Sequence, residues 1–291
     1  MEGAAIDWMT ETVLAALEHG DSVDATALTF LLRRFRDTDR ADLRDALEPA
    51  LAGGLERQTL ADSIGERAAW LTLFADALTL SADDRLLAAT TTLLGSLQRE
   101  WGRSKEVEDA SVSVDASLRA CSLLDLSSIA PHAVDELERI VAAAYRPGEG
   151  LAHDLHDRTA GSGQLADHIF LASALLTAYE ISGRLPYSML AEELVQVARH
   201  IHWSEVEGCF ESTSSSRWDA FRLNCEAARV LCRLGALHND RGYRAAAVIR
   251  SDAAYADAAT SILRAQDSCC REFGVLGAVY GLALSERLAL G

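Results

Sequence analysis

Two kinds of helical segment take turns along this chain, and few folds accommodate that pattern. One kind is apolar almost all round, as helices buried on every side are: Ala68–Leu80, Ile169–Ile181, Trp218–Leu234 and Phe273–Leu284. The other is amphipathic. In Tyr187–His202, Leu190, Leu194, Val197 and Ile201 make one stripe, while Glu192, Glu193, Gln196, Arg199 and His200 face away. Asp83–Trp101 and His132–Tyr145 follow the same rule. Strand-like alternation persists nowhere, and the periodicity predicts about twelve helices.

The links between these segments alternate as well. Those leading from a buried to an amphipathic segment are short, at 80–84, 181–186 and 238–242. Those leading back are mostly longer, at 102–111, 146–163 and 203–217. Buried helices are therefore expected to begin near 66, 112, 164, 218 and 272, a loose repeat of about fifty residues. Helical hairpins of this kind cannot bury their faces alone, so they stack into an open solenoid or close into a ring. The ends of the chain decide between the two. An amphipathic helix at about 4–19 and a buried one at about 272–288 each lack a sequential partner unless they meet. An open solenoid needs a polar last helix, and Gly274–Leu284 is apolar. The expected fold is all-α, a single (α/α)6 toroid over 1–291 with six inner and six outer helices.

Composition enters as a set of exclusions. With Asp+Glu 44 against Lys+Arg 27 the formal charge is −17, and no basic stripe exists to neutralise phosphates, so a nucleic-acid partner is excluded. The longest nearly apolar run, Phe273–Leu284, is shorter than the roughly 20 residues a membrane span needs. The N-terminal stretch reads as an ordinary helix rather than a signal peptide. Cys121, Cys209, Cys225, Cys232, Cys269 and Cys270 form no CxxC pair, which points to free thiols and a cytoplasmic location. Lys105 is the only lysine, so the basic residues are nearly all Arg. That is a compositional habit rather than a functional patch.

Ring closure also places function. Every long link lies on the face where inner helices start. Helix N-termini there carry unsatisfied N–H groups and the positive dipole end, which suit hydroxyls and oxyanions. A site is expected at that mouth.

One segment resembles a known family. Leu165-Ala166-Asp167-His168-Ile169-Phe170, Ala178-Tyr179-Glu180-Ile181-Ser182-Gly183, and Ile201-His202-Trp203 with Gly208-Cys209-Phe210 follow a pattern of the thioredoxin-like spermatogenesis-associated proteins, in their helical-toroid part. The same hairpin grammar occurs in six-hairpin glycosidases, unsaturated glycuronyl hydrolases and N-acylglucosamine epimerases. The resemblance covers roughly 150–245 and implies an (α/α)6 barrel with a sugar-sized cavity. Where the family has Asp-Tyr, this chain has Asp167-His168. No part of these 291 residues reads as a thioredoxin domain, so the resemblance implies a separate thioredoxin-like partner.

The candidate residues cluster at the expected mouth. Asp167 falls in the first turn of a buried helix, where the resemblance to glycuronyl hydrolases implies a working aspartate; dipole placement alone also favours a carboxylate there. The loop segment His153-Asp154-Leu155-His156-Asp157 is the densest polar cluster, with His168 near it in sequence. His156 and Asp157 are candidates, with Asp167, for general acid or base, and His153, Asp154 and His168 for substrate binding. A metal held by His153, Asp154, His156 or Asp157 is the rival use, and capping of neighbouring helices is another. The spacing matches no tight metal signature, so neither a metal ligand nor a cofactor is assigned. Trp203 and Trp218 flank the next long link beside Glu211, an arrangement that suits sugar stacking and equally suits filling space between helices.

Two functions from different classes remain. The first is a carbohydrate-active enzyme, hydrolase or epimerase, working on a sugar-sized ligand at the mouth. The second is a non-catalytic toroid that binds a small ligand or a partner protein. A terpene-cyclase reading is weaker: no DDxxD-type motif is present, and Asp83-Asp84 opens an outer helix away from the mouth.

Overall fold

The computed structural model describes residues 2–157, 163–211, 216–247 and 254–290. Among them are α1 (Glu2–Glu18), α2 (Ala25–Thr38), α3 (Ala41–Arg57), α4 (Ile64–Leu78), α5 (Asp84–Gln98), α6 (Val107–Leu123) and α7 (Ala130–Ala144). There follow α8 (Leu165–Ser182), α9 (Leu185–His202), α10 (Arg217–Asn239), the short α11 (Arg241–Ala246), α12 (Tyr255–Cys270) and α13 (Ala278–Leu288). Two small antiparallel hairpins sit in the long links. Tyr145–Arg146 (β1) pairs with Gly150–Leu151 (β2), and Trp203–Ser204 (β3) pairs with Cys209–Phe210 (β4).

The ring closes. α2, α4, α6, α8, α10 and α13 each pack on two neighbours of the same set, and α13 returns to α2. α1, α3, α5, α7, α9 and α12 lie outside them, with α1 covering α13. Close approach at the seam depends on glycine. A Cβ on Gly281 would stand 2.7 Å from the Phe30 ring of α2, and one on Gly277 would stand 2.8 Å from Met9 of α1.

Local signals set the helix starts. Ser63 and Glu66 form a reciprocal capping box at α4, and Asp24 accepts from the Ala27 amide at 2.8 Å to open α2. Gly183, at φ 67, ends α8 in the left-handed region, and Pro186 in the first turn of α9 starts the return.

Four boundaries differ from the sequence pattern. One is that of α13, which starts at Ala278 rather than near 272 because a 3-10 turn at Gly274–Gly277 precedes it. The sixth inner helix, α2, is absent from the expected inner starts, because Arg33, Arg34 and Arg36 interrupt its apolar run. α6 starts at Val107 rather than near 112, since Glu108 and Asp109 form its first turn. The link after α10 is not short: α11 intervenes, and the outer helix α12 begins only at Tyr255.

Candidate active site

A cavity of about 1260 Å³ runs along the ring axis. It reaches from the first turns of the inner helices, at Thr26, Glu108 and Trp218, to their far ends at Glu180, Ala236 and Leu290.

Charged side chains crowd the wall built by α6, α8 and α10. Asp115 of α6 pairs with Arg119 one turn on, at 3.0 Å, and accepts hydroxyl hydrogen bonds from Ser173 and Thr177 of α8 at 2.7 and 2.5 Å. Arg233 of α10 reaches across to Thr177, to both oxygens of Ser173 and to Glu180. Burial pushes the Asp115 carboxyl up, but Arg119, Arg233 and the two hydroxyls hold it below its ordinary value. Lower in the ring, Glu286 of α13 is gripped by Arg33 of α2 at 2.5 Å and by Arg229 of α10 at 3.0 Å. Against the push of burial, those two guanidiniums bring Glu286 down to about 2.

At the mouth, Glu108 and Asp109 occupy the first turn of α6 and both line the cavity. Burial is the main push raising the Glu108 carboxyl. Asp167 and Asp109 add to it, and Arg222, 3.3 Å away, opposes it. Asp109 is raised as well, by burial and then by Glu106. Aromatic rings line the same cavity. Arg222 lies over the Phe170 ring at 5.5 Å, and Trp218 meets Phe273 edge-on with centroids 5.3 Å apart.

Asp167 does not point into this cavity. It has no exposure and is absent from the cavity wall. One oxygen accepts from the Glu108 amide at 3.1 Å; the other accepts from the Gln164 amide at 2.7 Å and from His153 Nδ1 at 2.8 Å. Asp167 thereby joins α8, the long link and the first turn of α6. The link is stitched further by the amides of Val107 and Leu155, which bond His153 and Lys105 carbonyls. The remaining loop candidates are used locally. Asp154 accepts from the His156 and Asp157 amides at 2.7 and 3.0 Å, which lowers its carboxyl, and His156 and Asp157 are exposed outside the cavity. His168 is buried with Nδ1 2.9 Å from the Gln164 carbonyl, so Nδ1 carries the proton; its Nε2 sits against Gly150, and burial pushes its pKa down.

Of the second long link, Trp218 lines the cavity, while Trp203 packs edge-on against Phe210 at 5.2 Å and Glu211 is exposed, both outside the cavity. Among the described residues no three metal-ligating side chains converge. Burial pushes the thiols of Cys121 and Cys270 up to about 11 and that of Cys232 to about 12, so these three are weak nucleophiles. No helix among the described residues is long and apolar enough to cross a membrane. The expected set thus meets the cavity at Trp218, whereas Glu108 and Asp109 fall in the stretch the sequence pattern treats as a link. Their signal was available: consecutive acids are favoured in a helix's first turn.

No protein-family profile and no curated protein sequence matches the chain. Solved structures do match, across its whole length. An α-1,6-mannanase from Salegentibacter sp. HEL1_6 aligns with TM-score 0.68 at 12% identity, covering 100% of this chain and 99% of that one. An unsaturated glucuronyl hydrolase from Bacillus sp. GL1 aligns with TM-score 0.69 at 12% identity, covering 100% and 97%. The Lin0763 protein from Listeria innocua aligns with TM-score 0.69 at 9% identity, covering 98% of each. This chain therefore has the (α/α)6 toroid fold of the mannanase and the glucuronyl hydrolase. The mannanase is also known as an inactive variant, two consecutive aspartates replaced, in complex with α-1,6-mannotetrose.

Proposed function

We propose that this toroid is a carbohydrate-active enzyme, a hydrolase or epimerase, with Glu108 and Asp109 as its acid–base pair at the inner-helix mouth. The observation that carries the reading is the consecutive carboxylate pair on the cavity wall, partly withdrawn from water in a cavity that aromatic rings also line. Burial raises both carboxyls while Arg222 holds Glu108 back, so their environments differ and one group serves as acid and its neighbour as base. In hydrolysis, the acid protonates the departing glycosidic oxygen while the base takes a proton from the water that attacks the anomeric carbon. In epimerisation, the pair removes and returns a proton at one carbon. The inactivated mannanase supports the choice of two consecutive carboxylates, and its bound oligosaccharide supports a sugar. Asp167 is a positioning residue here, acting through the Glu108 amide and its charge. A thioredoxin-like partner rests on the resemblance of 164–212 alone.

The test is a panel of oligosaccharides and aryl glycosides, assayed for cleavage and for epimerised product. Asp109→Asn and Glu108→Gln should each lower turnover by about 10²-fold or more while melting like the parent. Unchanged turnover in both variants would overturn the assignment. A second reading, a non-catalytic sugar-binding toroid, is favoured by the deeper charges, because Asp115, Glu226 and Glu286 are all paired to arginines. Sugar binding without any turnover would select it.

A further inference from the structure

Glu108 and Asp109 are neighbours in α6, yet different groups hold them. α8 stands between α6 and α10 in the ring, and Arg222 of α10 reaches past it. Its guanidinium lies over the Phe170 ring of α8 at 5.5 Å and brings Nη2 to 3.3 Å from Glu108 Oε1. Glu108, Phe170 and Arg222 all line the cavity, so the contact is made on the wall where a ligand lies. Glu108 is also held from behind, because its amide donates to Asp167 of α8 at 3.1 Å. With its backbone tied to α8 and its carboxylate to α10, the side chain keeps one direction.

Asp109 has no counterpart to Arg222. Among the described residues its carboxylate enters no ion pair or hydrogen bond. The charged groups around it are Glu106 of the preceding link, Arg67 of α4 and Glu100 just after α5. Arg67 is spent on Glu100 at 3.3 Å and on Ser96 at 2.7 Å. Around Glu108 they are Arg222, Asp167 and Asp109. Burial disfavours charge on both carboxyls, and a guanidinium in contact opposes it at Glu108 alone.

We propose that Arg222 is the positioning residue of this site: it holds the Glu108 carboxylate ionised and in one orientation, which makes Glu108 the base and leaves Asp109 as the acid. The proposal rests on the carbohydrate reading and gives its two carboxylates separate roles. In hydrolysis, Glu108 takes one proton from the water whose oxygen bonds to the anomeric carbon. Asp109 gives its proton to the glycosidic oxygen as that carbon–oxygen bond breaks. Glu108 ends protonated and Asp109 ionised, and exchange with solvent restores both.

Carboxyl carbon resonances followed through pH test this without a substrate, with Glu108→Gln and Asp109→Asn assigning the two signals. Glu108 should titrate below Asp109 in the parent. Arg222→Met keeps a side chain on Phe170 without the charge, and Arg222→Gln is a second neutral variant. In both, the Glu108 midpoint should rise by about one pH unit while Asp109 moves far less. Arg222→Lys should return Glu108 most of the way to the parent midpoint. With a substrate from the oligosaccharide panel, the acid limb of kcat/KM should move up with Glu108 in the neutral variants, and the alkaline limb should stay. Below that limb their kcat/KM should be about tenfold lower than the parent's. An ion pair that only braces the fold would lower the melting temperature and leave both limbs in place, which would overturn the proposal. So would an unmoved Glu108 midpoint, or a Glu108 that titrates above Asp109 in the parent. Full turnover in both Glu108→Gln and Asp109→Asn would instead overturn the carbohydrate reading beneath it, whatever Arg222 does to the titration.

Discussion

A carboxylate with no access to water keeps its charge where donors surround it. Asp167 has three, from Glu108, Gln164 and His153. Burial nevertheless raises its pKa, and the bond to Asp167 raises that of His153 despite the opposing effect of desolvation. Replacing Asp167 by Asn turns an acceptor oxygen into a donor facing other donors. We expect a loss of about 1–3 kcal/mol in denaturant unfolding, and a Glu108 that titrates lower, read by carboxyl carbon resonances. His153 gives a pH signature. Its folded pKa lies above its unfolded one, so its contribution is complete below pH of about 6.5 and drains away as pH rises through the folded value. The melting-temperature gap between the parent and His153→Gln should therefore be wide at pH 5.5 and narrow by pH 8. A gap that widens with pH would mean the pair does not form.

Between elements, the interior is tied by charge as much as by apolar contact. Asp115 joins α6 to α8 through Ser173 and Thr177, and Arg233 brings α10 to the same two hydroxyls. Removing the central carboxylate leaves Arg119 partly buried without its partner, so Asp115→Ala should cost about 3 kcal/mol or more. Thr177→Val removes one hydroxyl and should cost about 1 kcal/mol. Equal losses in urea melts would refute a hub centred on Asp115. These ties explain what could and could not be read from the sequence. α8 was legible as an inner helix because apolar residues cover nearly all its faces. α10 was legible because the apolar residues of 227–232 show despite the Arg222, Glu226, Arg229 and Arg233 stripe on the cavity. α2 was not, because the charges that pair across the ring, Arg33 among them, break its periodicity. The same holds at the site. His153, Asp154 and Asp167 read equally as site residues and as helix caps, and only the folded link reveals that their atoms are spent on one another and on nearby amides. Glu108 and Asp109 were visible as residues but assigned to a link, since an acidic helix start and an acidic loop look alike without the packing behind them.

For the whole molecule, a ring differs from a stack in having no terminal element whose loss is cheap. α13 contacts α2, α10 and α12, and α1 closes over its outer side. Ile6, Met9, Val13 and Leu14 of α1 are buried there or against neighbouring helices. At about 1.5–3 kcal/mol for each fully buried side chain, these four represent some 6–12 kcal/mol of burial. That is comparable with the roughly 5–15 kcal/mol that separates folded from unfolded domains. Deleting residues 2–20 should therefore abolish the cooperative thermal transition, or lower it by tens of degrees. In an open solenoid the same deletion would trim one end, and the remaining repeats would melt almost as before. A Gly281→Val substitution tests the seam without removing a helix. Its side chain must displace the Phe30 ring, because even a Cβ stands 2.7 Å away, whereas Gly53→Ala meets no atom within 4 Å. Calorimetry should find the first destabilised by about 2 kcal/mol or more and the second neutral or slightly stabilised. If Gly281→Val instead melted like the parent, α13 and α2 would not be in contact in solution, and the ring would be open at that point.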